Sequence, residues 1–85
     1  MTNDSNRFID IQYFAILKDQ AQKSEERILT QAQTPEELYG ELKEKYGFTL
    51  RPESVRVAIN EEFQELTTAL RSEDRVVFIP PVAGG

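Results

Sequence analysis

The run Arg75-Val76-Val77-Phe78-Ile79 carries apolar side chains on both parities and halts at Pro80-Pro81. A strand apolar on both parities fits only where both faces of a sheet are at least partly covered, so this strand, late in the chain, belongs at the centre of its sheet. The two prolines lack the N–H that a ladder needs and hold φ close to about −65°, so they end the strand and direct the last residues outward on an extended stem. Every earlier element has to be arranged around that strand.

The chain has 85 residues, enough for one domain and one core. Met1 to Arg7 is polar and without periodicity, which predicts a loose lead over residues 1–7, with the folded domain spanning residues 8–81 and an extended tail at residues 82–85. From Phe8, Ile9, Ile11 and Tyr13 alternate with Asp10 and Gln12, predicting a first strand that runs to about Ile16 with one buried face. Phe14, Ile16 and Leu17 break the alternation, so one apolar group near the strand's end faces away from the core, with Phe14 the candidate. Lys18 to Glu26 is charged and short, suited to a turn or a single helical turn, and Arg27-Ile28-Leu29 suits a second strand.

Thr34-Pro35-Glu36-Glu37 is a helix start, with Thr34 as N-cap, Pro35 in the first helical position and Glu37 completing a capping box. Leu38, Leu42 and Tyr46 recur four apart on one face with Tyr39 beside them, and Gly47 ends the helix with Phe48 folding back on its last turn. Gly40 inside this helix suggests close packing on a neighbour. Val55, Val57 and Ile59 form a third strand ending in a turn at Asn60-Glu61, Phe63 to Leu66 a short return strand, and Arg71 to Asp74 a polar turn. Tyr13, Leu38, Leu42, Tyr46, Val57 and Ile59 make the expected core. One strong helix among five strands, with the last strand central and paired in parallel with the first, predicts an α+β β-grasp fold, a mixed sheet wrapped around one main helix.

Fifteen acidic against ten basic residues give a net charge of −5, which disfavours nucleic acid as a partner and favours a basic protein surface. No apolar run approaches the length of a membrane span, and no signal-peptide pattern opens the chain, so no membrane partner and a cytoplasmic location are expected. With no Cys and no His, disulfides, thiol nucleophiles, imidazole acid–base chemistry and the usual zinc sites are excluded. The paired carboxylates Glu36-Glu37 and Glu61-Glu62 read as a helix N-terminus and a solvated turn. What remains for covalent chemistry is the carboxylate of Gly85. In Val82-Ala83-Gly84-Gly85 the glycines have no Cβ, so such an end threads a narrow channel and presents its carboxylate to a second active site.

These residues resemble the small subunit of molybdopterin synthase, a ubiquitin-like sulfur carrier. The resemblance rests on Tyr13-Phe14-Ala15, the Thr34-Pro35 helix start with Leu38 and Leu42, Val57-Ala58-Ile59-Asn60, and Arg75 to Gly85 with its Phe78-x-Pro80-Pro81-Val82-x-Gly84-Gly85 ending. It departs from the family at two turns, where Glu61 follows Asn60 in place of Gly and Ser72-Glu73-Asp74 stands for Asp-Gly-Asp.

The resemblance implies a non-autonomous enzyme subunit. An E1-like adenylating enzyme would use ATP to activate Gly85, and a sulfur donor protein would convert the acyl adenylate to a thiocarboxylate. Val82, Ala83, Gly84 and Gly85 would then enter the large synthase subunit, where sulfur passes to cyclic pyranopterin monophosphate on the route to the molybdenum cofactor. The pair would form a heterotetramer, the chain itself would bind no cofactor or metal, and the active-site side chains would lie in the large subunit. Phe14, Phe63 and Ile79, with Pro80, Pro81, Val82 and Ala83, are the expected partner-binding residues, on an apolar patch around the tail's root. A carrier for thiamine synthesis or tRNA thiolation, a ubiquitin-like protein modifier, and a plain interaction module are the competing readings.

Overall fold

β1 (Arg7–Tyr13) buries Ile9, Ile11 and Tyr13 and turns Phe8, Asp10 and Gln12 the other way, as its alternation requires. The computed structural model describes residues 6–81. β1 is followed by α1 (Ala15–Ala21), β2 (Glu25–Thr30), α2 (Pro35–Tyr46), a 3₁₀ turn at Pro52–Ser54, β3 (Arg56–Ile59), β4 (Glu62–Gln64) and β5 (Arg75–Ile79). The sheet order is β2-β1-β5-β3-β4, so the last strand is central, parallel to β1 and antiparallel to β3. This is the expected β-grasp fold, with two helices against a mixed five-stranded sheet.

The first strand is shorter than expected. It stops at Tyr13 instead of continuing to Ile16, and a two-turn helix begins at Ala15 and runs into the segment read as a turn or a single helical turn. Leu17 and Ala21, four apart, are buried on one face of α1 while Asp19 midway between them is exposed, a pattern that a helix satisfies and a strand, which would put all three on one face, does not. Phe14 is the N-cap, Ala15 bends the chain with φ 53°, and Gln22 closes the helix at φ 62° with its N–H on the Lys18 carbonyl. β2 also extends beyond Arg27–Leu29 at both ends, pairing with β1 from Glu25 to Thr30.

α2 begins and ends at the expected residues. Thr34 Oγ1 accepts from the Glu37 N–H at 3.2 Å, while Glu37 Oε1 accepts from the Gln33 N–H at 2.8 Å, one residue upstream of the usual capping box. Gly47 takes φ 73° and its N–H reaches the Lys43 carbonyl. Leu38, Tyr39 and Leu42 are buried against the sheet, and Phe48 folds back to stack on Tyr39 at 5.5 Å.

Gly40 does not have the packing role its position suggested. It is exposed, and a Cβ built there meets nothing within 4 Å. Gly40→Ala should therefore raise stability by about 0.5–1 kcal/mol, read as a higher midpoint in urea unfolding with an unchanged m-value.

The Asn60-Glu61 turn keeps a two-residue hairpin without glycine. Both residues have positive φ, 53° and 75°, and Ile59 pairs with Glu62 across it. Asn60 is held by its side chain, which donates to Asp74 Oδ1 at 2.9 Å and accepts from the Arg75 N–H at 3.0 Å. The buried Asp74 also accepts from the Arg71 N–H at 2.8 Å, so one carboxylate ties the β3–β4 turn to the turn before β5.

Tyr46 is only partly buried, because its hydroxyl reaches outward to a polar clamp. Glu26 accepts from Tyr13 Oη at 2.6 Å and Tyr46 Oη at 2.7 Å, and pairs with Lys23 Nζ at 3.3 Å. Burial, the largest single influence, pushes the Glu26 carboxyl up, but the hydrogen bonds from Tyr13, Tyr46 and Lys23 together hold it below its usual range. The native state thus favours the carboxylate. The stabilisation is complete above the pKa of the unfolded chain and is lost as pH falls through the lower folded value. Glu26→Gln should cost about 1–2 kcal/mol at neutral pH and flatten the acid limb of stability against pH, measured by urea unfolding across that range.

Candidate functional site

The site grows from the end of β5. Tyr13 pairs with Phe78, so the next residue of each chain segment, Phe14 and Ile79, emerge side by side where the two parallel strands finish. Phe14 is 43% exposed, Ile79 is half-buried, Pro80 is buried and Pro81 is exposed. Together with Ala15, Ile16 and Leu50 they line a cleft of about 540 Å³. No lining residue is ionisable, so the cleft is shaped to take apolar groups and carries no acid–base chemistry of its own.

Its walls are fixed by polar contacts behind them. Tyr39 Oη donates to the Leu50 carbonyl at 2.9 Å, and burial pushes the Tyr39 phenol up. The Gln20 side chain donates to Thr49 Oγ1 at 3.1 Å and accepts from the Thr49 N–H at 3.3 Å, tying α1 to the segment after α2. The positive φ of Ala15 turns the chain sharply between Phe14 and Ile16, so that both reach the same cleft.

Four of the expected partner-binding residues therefore meet: Phe14, Ile79, Pro80 and Pro81. Phe63 does not join them. It sits on β4, 66% exposed, in a cross-strand row with Ala58 and Val77, beside a separate depression lined by Val55, Arg56 and Leu66. The Arg56 guanidinium lies 6.0 Å from its ring centre. Ile79 pairs with Arg56, so the row between cleft and Phe63 is half apolar and half cationic, and the expected single patch is two lobes. Val82, Ala83, Gly84 and Gly85 lie outside the described residues.

Ile16 and Leu50 belong to the site and were not expected there. Leu17 and Ala21 four apart with the charged Asp19 between them were the signal for α1, which would have turned Ile16 away from the core. Nothing local to Leu50 marks it, because its place depends on Tyr39 from another element.

A model of the ThiS family matches residues 11–85. The chain belongs to that family. The chain is similar to a chain of the complex of subunits 1 and 2 of the molybdopterin-converting factor from Helicobacter pylori, at 28% identity over 92% of this chain and 99% of that one, with a TM-score of 0.60. It is also similar in fold to a candidate molybdopterin converting factor subunit 1 from Pyrococcus furiosus, at 22% identity over 89% and 99%, TM-score 0.71. Small archaeal modifier protein 1 from Methanosarcina acetivorans matches at 20% identity over 94% and 98%, TM-score 0.74. As a ThiS-family chain it thus shares its fold with both converting-factor subunits and protein modifiers.

Exposure and core are sharply separated at this end of the molecule. Phe14→Asp or Phe63→Asp should change stability by no more than about 0.5–1 kcal/mol, whereas Phe78→Ala, which opens a cavity one residue before Ile79, should cost about 3–5 kcal/mol. Thermal unfolding of the three variants checks the contrast.

Proposed function

We propose that this chain is the sulfur-carrier small subunit of a molybdopterin synthase. The observation that carries the reading is the juxtaposition of the apolar cleft with the Pro80-Pro81 stem, followed in sequence by Val82-Ala83-Gly84-Gly85. The likeness to a chain of the Helicobacter pylori complex supports a large-subunit partner, because subunits 1 and 2 are paired there.

In this reading the Gly85 carboxylate attacks the α-phosphate of ATP on an E1-like enzyme, releasing pyrophosphate and forming an acyl adenylate. Sulfide-level sulfur delivered by a donor protein attacks the acyl carbon, the bond to AMP breaks, and AMP leaves with a thiocarboxylate formed on Gly85. The large subunit then docks on Phe14, Ile16, Leu50 and Ile79, with Phe63 as a second contact. Docking places Gly85 in a channel where sulfur moves to cyclic pyranopterin monophosphate. The cleft is lined by apolar residues alone, so in this reading the acid–base side chains come from the partner. A carrier serving another sulfur pathway, or a protein modifier, would use the same activation; the Phe-x-Pro-Pro-Val-x-Gly-Gly ending favours the synthase.

Intact mass tests the reading. Incubation with an E1-class enzyme, ATP and a sulfur donor should give the gain of one oxygen replaced by sulfur, and the variant lacking Gly85 should show none. An unchanged mass with an enzyme active on its own carrier would reject it. With activation established, Ile16→Asp and Phe14→Asp should weaken binding of the large subunit while leaving the melting temperature nearly unchanged.

A further inference from the structure

A net charge of −5 suggested a basic partner surface, but the charges are unevenly placed. Glu36, Glu37, Glu41 and Glu44 lie on α2, which packs on the inner face of the sheet. The outer face beside the stem carries arginines instead. Val77 on β5 stands opposite Ala58 on β3, and Phe63 on β4 extends the row. Arg75 lies one row before this strip on β5, and Arg56, opposite Ile79, lies one row after it on β3. The two guanidinium groups therefore bracket one apolar strip.

Neither is matched by a carboxylate. Arg75 donates to the Gln12 side chain at 2.6 Å, and Arg56 contacts only the Phe63 ring, 6.0 Å from its centre. Of the acids nearby, Asp10 and Glu73 are held by Arg27 at 3.1 and 2.8 Å. Glu25, across from Gln12, and Glu65, lining the same depression as Arg56, form no ion pair with either arginine among the described residues. What gives this meaning is the strip between them. A partner closing over Phe63, 66% exposed, takes both guanidinium groups out of water, which is unfavourable unless acceptors replace that water.

We propose that this face receives an acidic surface of the large synthase subunit, with carboxylates seated on Arg56 and Arg75 at either end of an apolar contact with Val77, Ala58 and Phe63. This rests on the partnership proposed above. Carboxylates suit the role because the planar guanidinium fork donates to both of their oxygens. The local charge, opposite in sign to the net charge of the chain, then selects the partner's surface, and a basic surface is rejected here by like charge.

The test measures binding of the full chain to the large subunit from the same organism, with charge reversals on each side of the molecule and melting temperatures in parallel. Arg56→Glu and Arg75→Glu should each weaken binding by about tenfold or more, and the wild-type affinity should fall as salt is raised. Lys45→Glu, an equal change of net charge at an exposed position on α2, should bind as the wild type does. All three variants should keep the wild-type melting temperature. Unchanged or tighter binding by the arginine variants overturns the proposal and leaves the synthase partnership standing, since a basic surface favours the reversal. Equal weakening by Lys45→Glu also overturns it, because net charge and not this face then sets the affinity. A wild-type chain that fails to bind the large subunit removes the partnership and this inference together.

Discussion

Everything in this molecule depends on β5 lying between β1 and β3. Val76 and Phe78 fill the core side and are fully buried, while Val77 and Ile79 are half-buried on the other face. Because β5 is parallel to β1 and antiparallel to β3, the two halves of the sheet are hydrogen-bonded to each other only through it. A long-range pairing of this kind has to close large loops before its contacts are gained, so it carries a loop-closure cost that the burial of Val76 and Phe78 offsets. It also fixes where β5 ends, beside Phe14 and Ile16, and hence where the Pro-Pro stem begins.

The outer face of the sheet is divided by charge. Arg27 reaches Asp10 at 3.1 Å and Glu73 at 2.8 Å, and Arg75 donates to Gln12 at 2.6 Å. These exposed contacts add little stability. Their effect is to set the Phe8–Leu29 pair, 43% and 54% exposed, apart from the apolar half that holds Val77, Ala58, Phe63 and Ile79. The second half adjoins the cleft, and the charged ladder marks its border.

Much of the fold was legible because its signals are local. Thr34, Pro35 and Gly47 set the ends of α2 through their own backbone chemistry, and the β-branched run before Pro80 announced a central strand. The reading failed at α1, where Phe14, Ala15, Ile16 and Leu17 give four apolar residues in a row, a pattern that strand and helix share until the charged Asp19, midway between Leu17 and Ala21, is included. It failed again at Gly40, where a helix-weakening residue sits on an open surface and packing supplies no reason. At the site, Phe14 was recognisable from its break in the alternation, and Ile79, Pro80 and Pro81 from their place at the end of the last strand. Leu50 was not, since its position is set by a hydrogen bond from Tyr39 and by the Gln20–Thr49 contact, both from elements distant in sequence.

The sequence by itself determined the ingredients: a single strong helix, a last strand buried on both faces, a stem that cannot extend a ladder, and an acidic chain without Cys or His. These follow from the conformational limits and chemistry of individual residues, so neighbours along the chain suffice to read them. Only the tertiary structure decided that Phe14, Ile16, Leu50 and Ile79 enclose one cleft while Phe63 stands apart. Those facts depend on which strands pair and on where side chains from different elements converge, and no local pattern encodes a distance between residues that the chain keeps far apart.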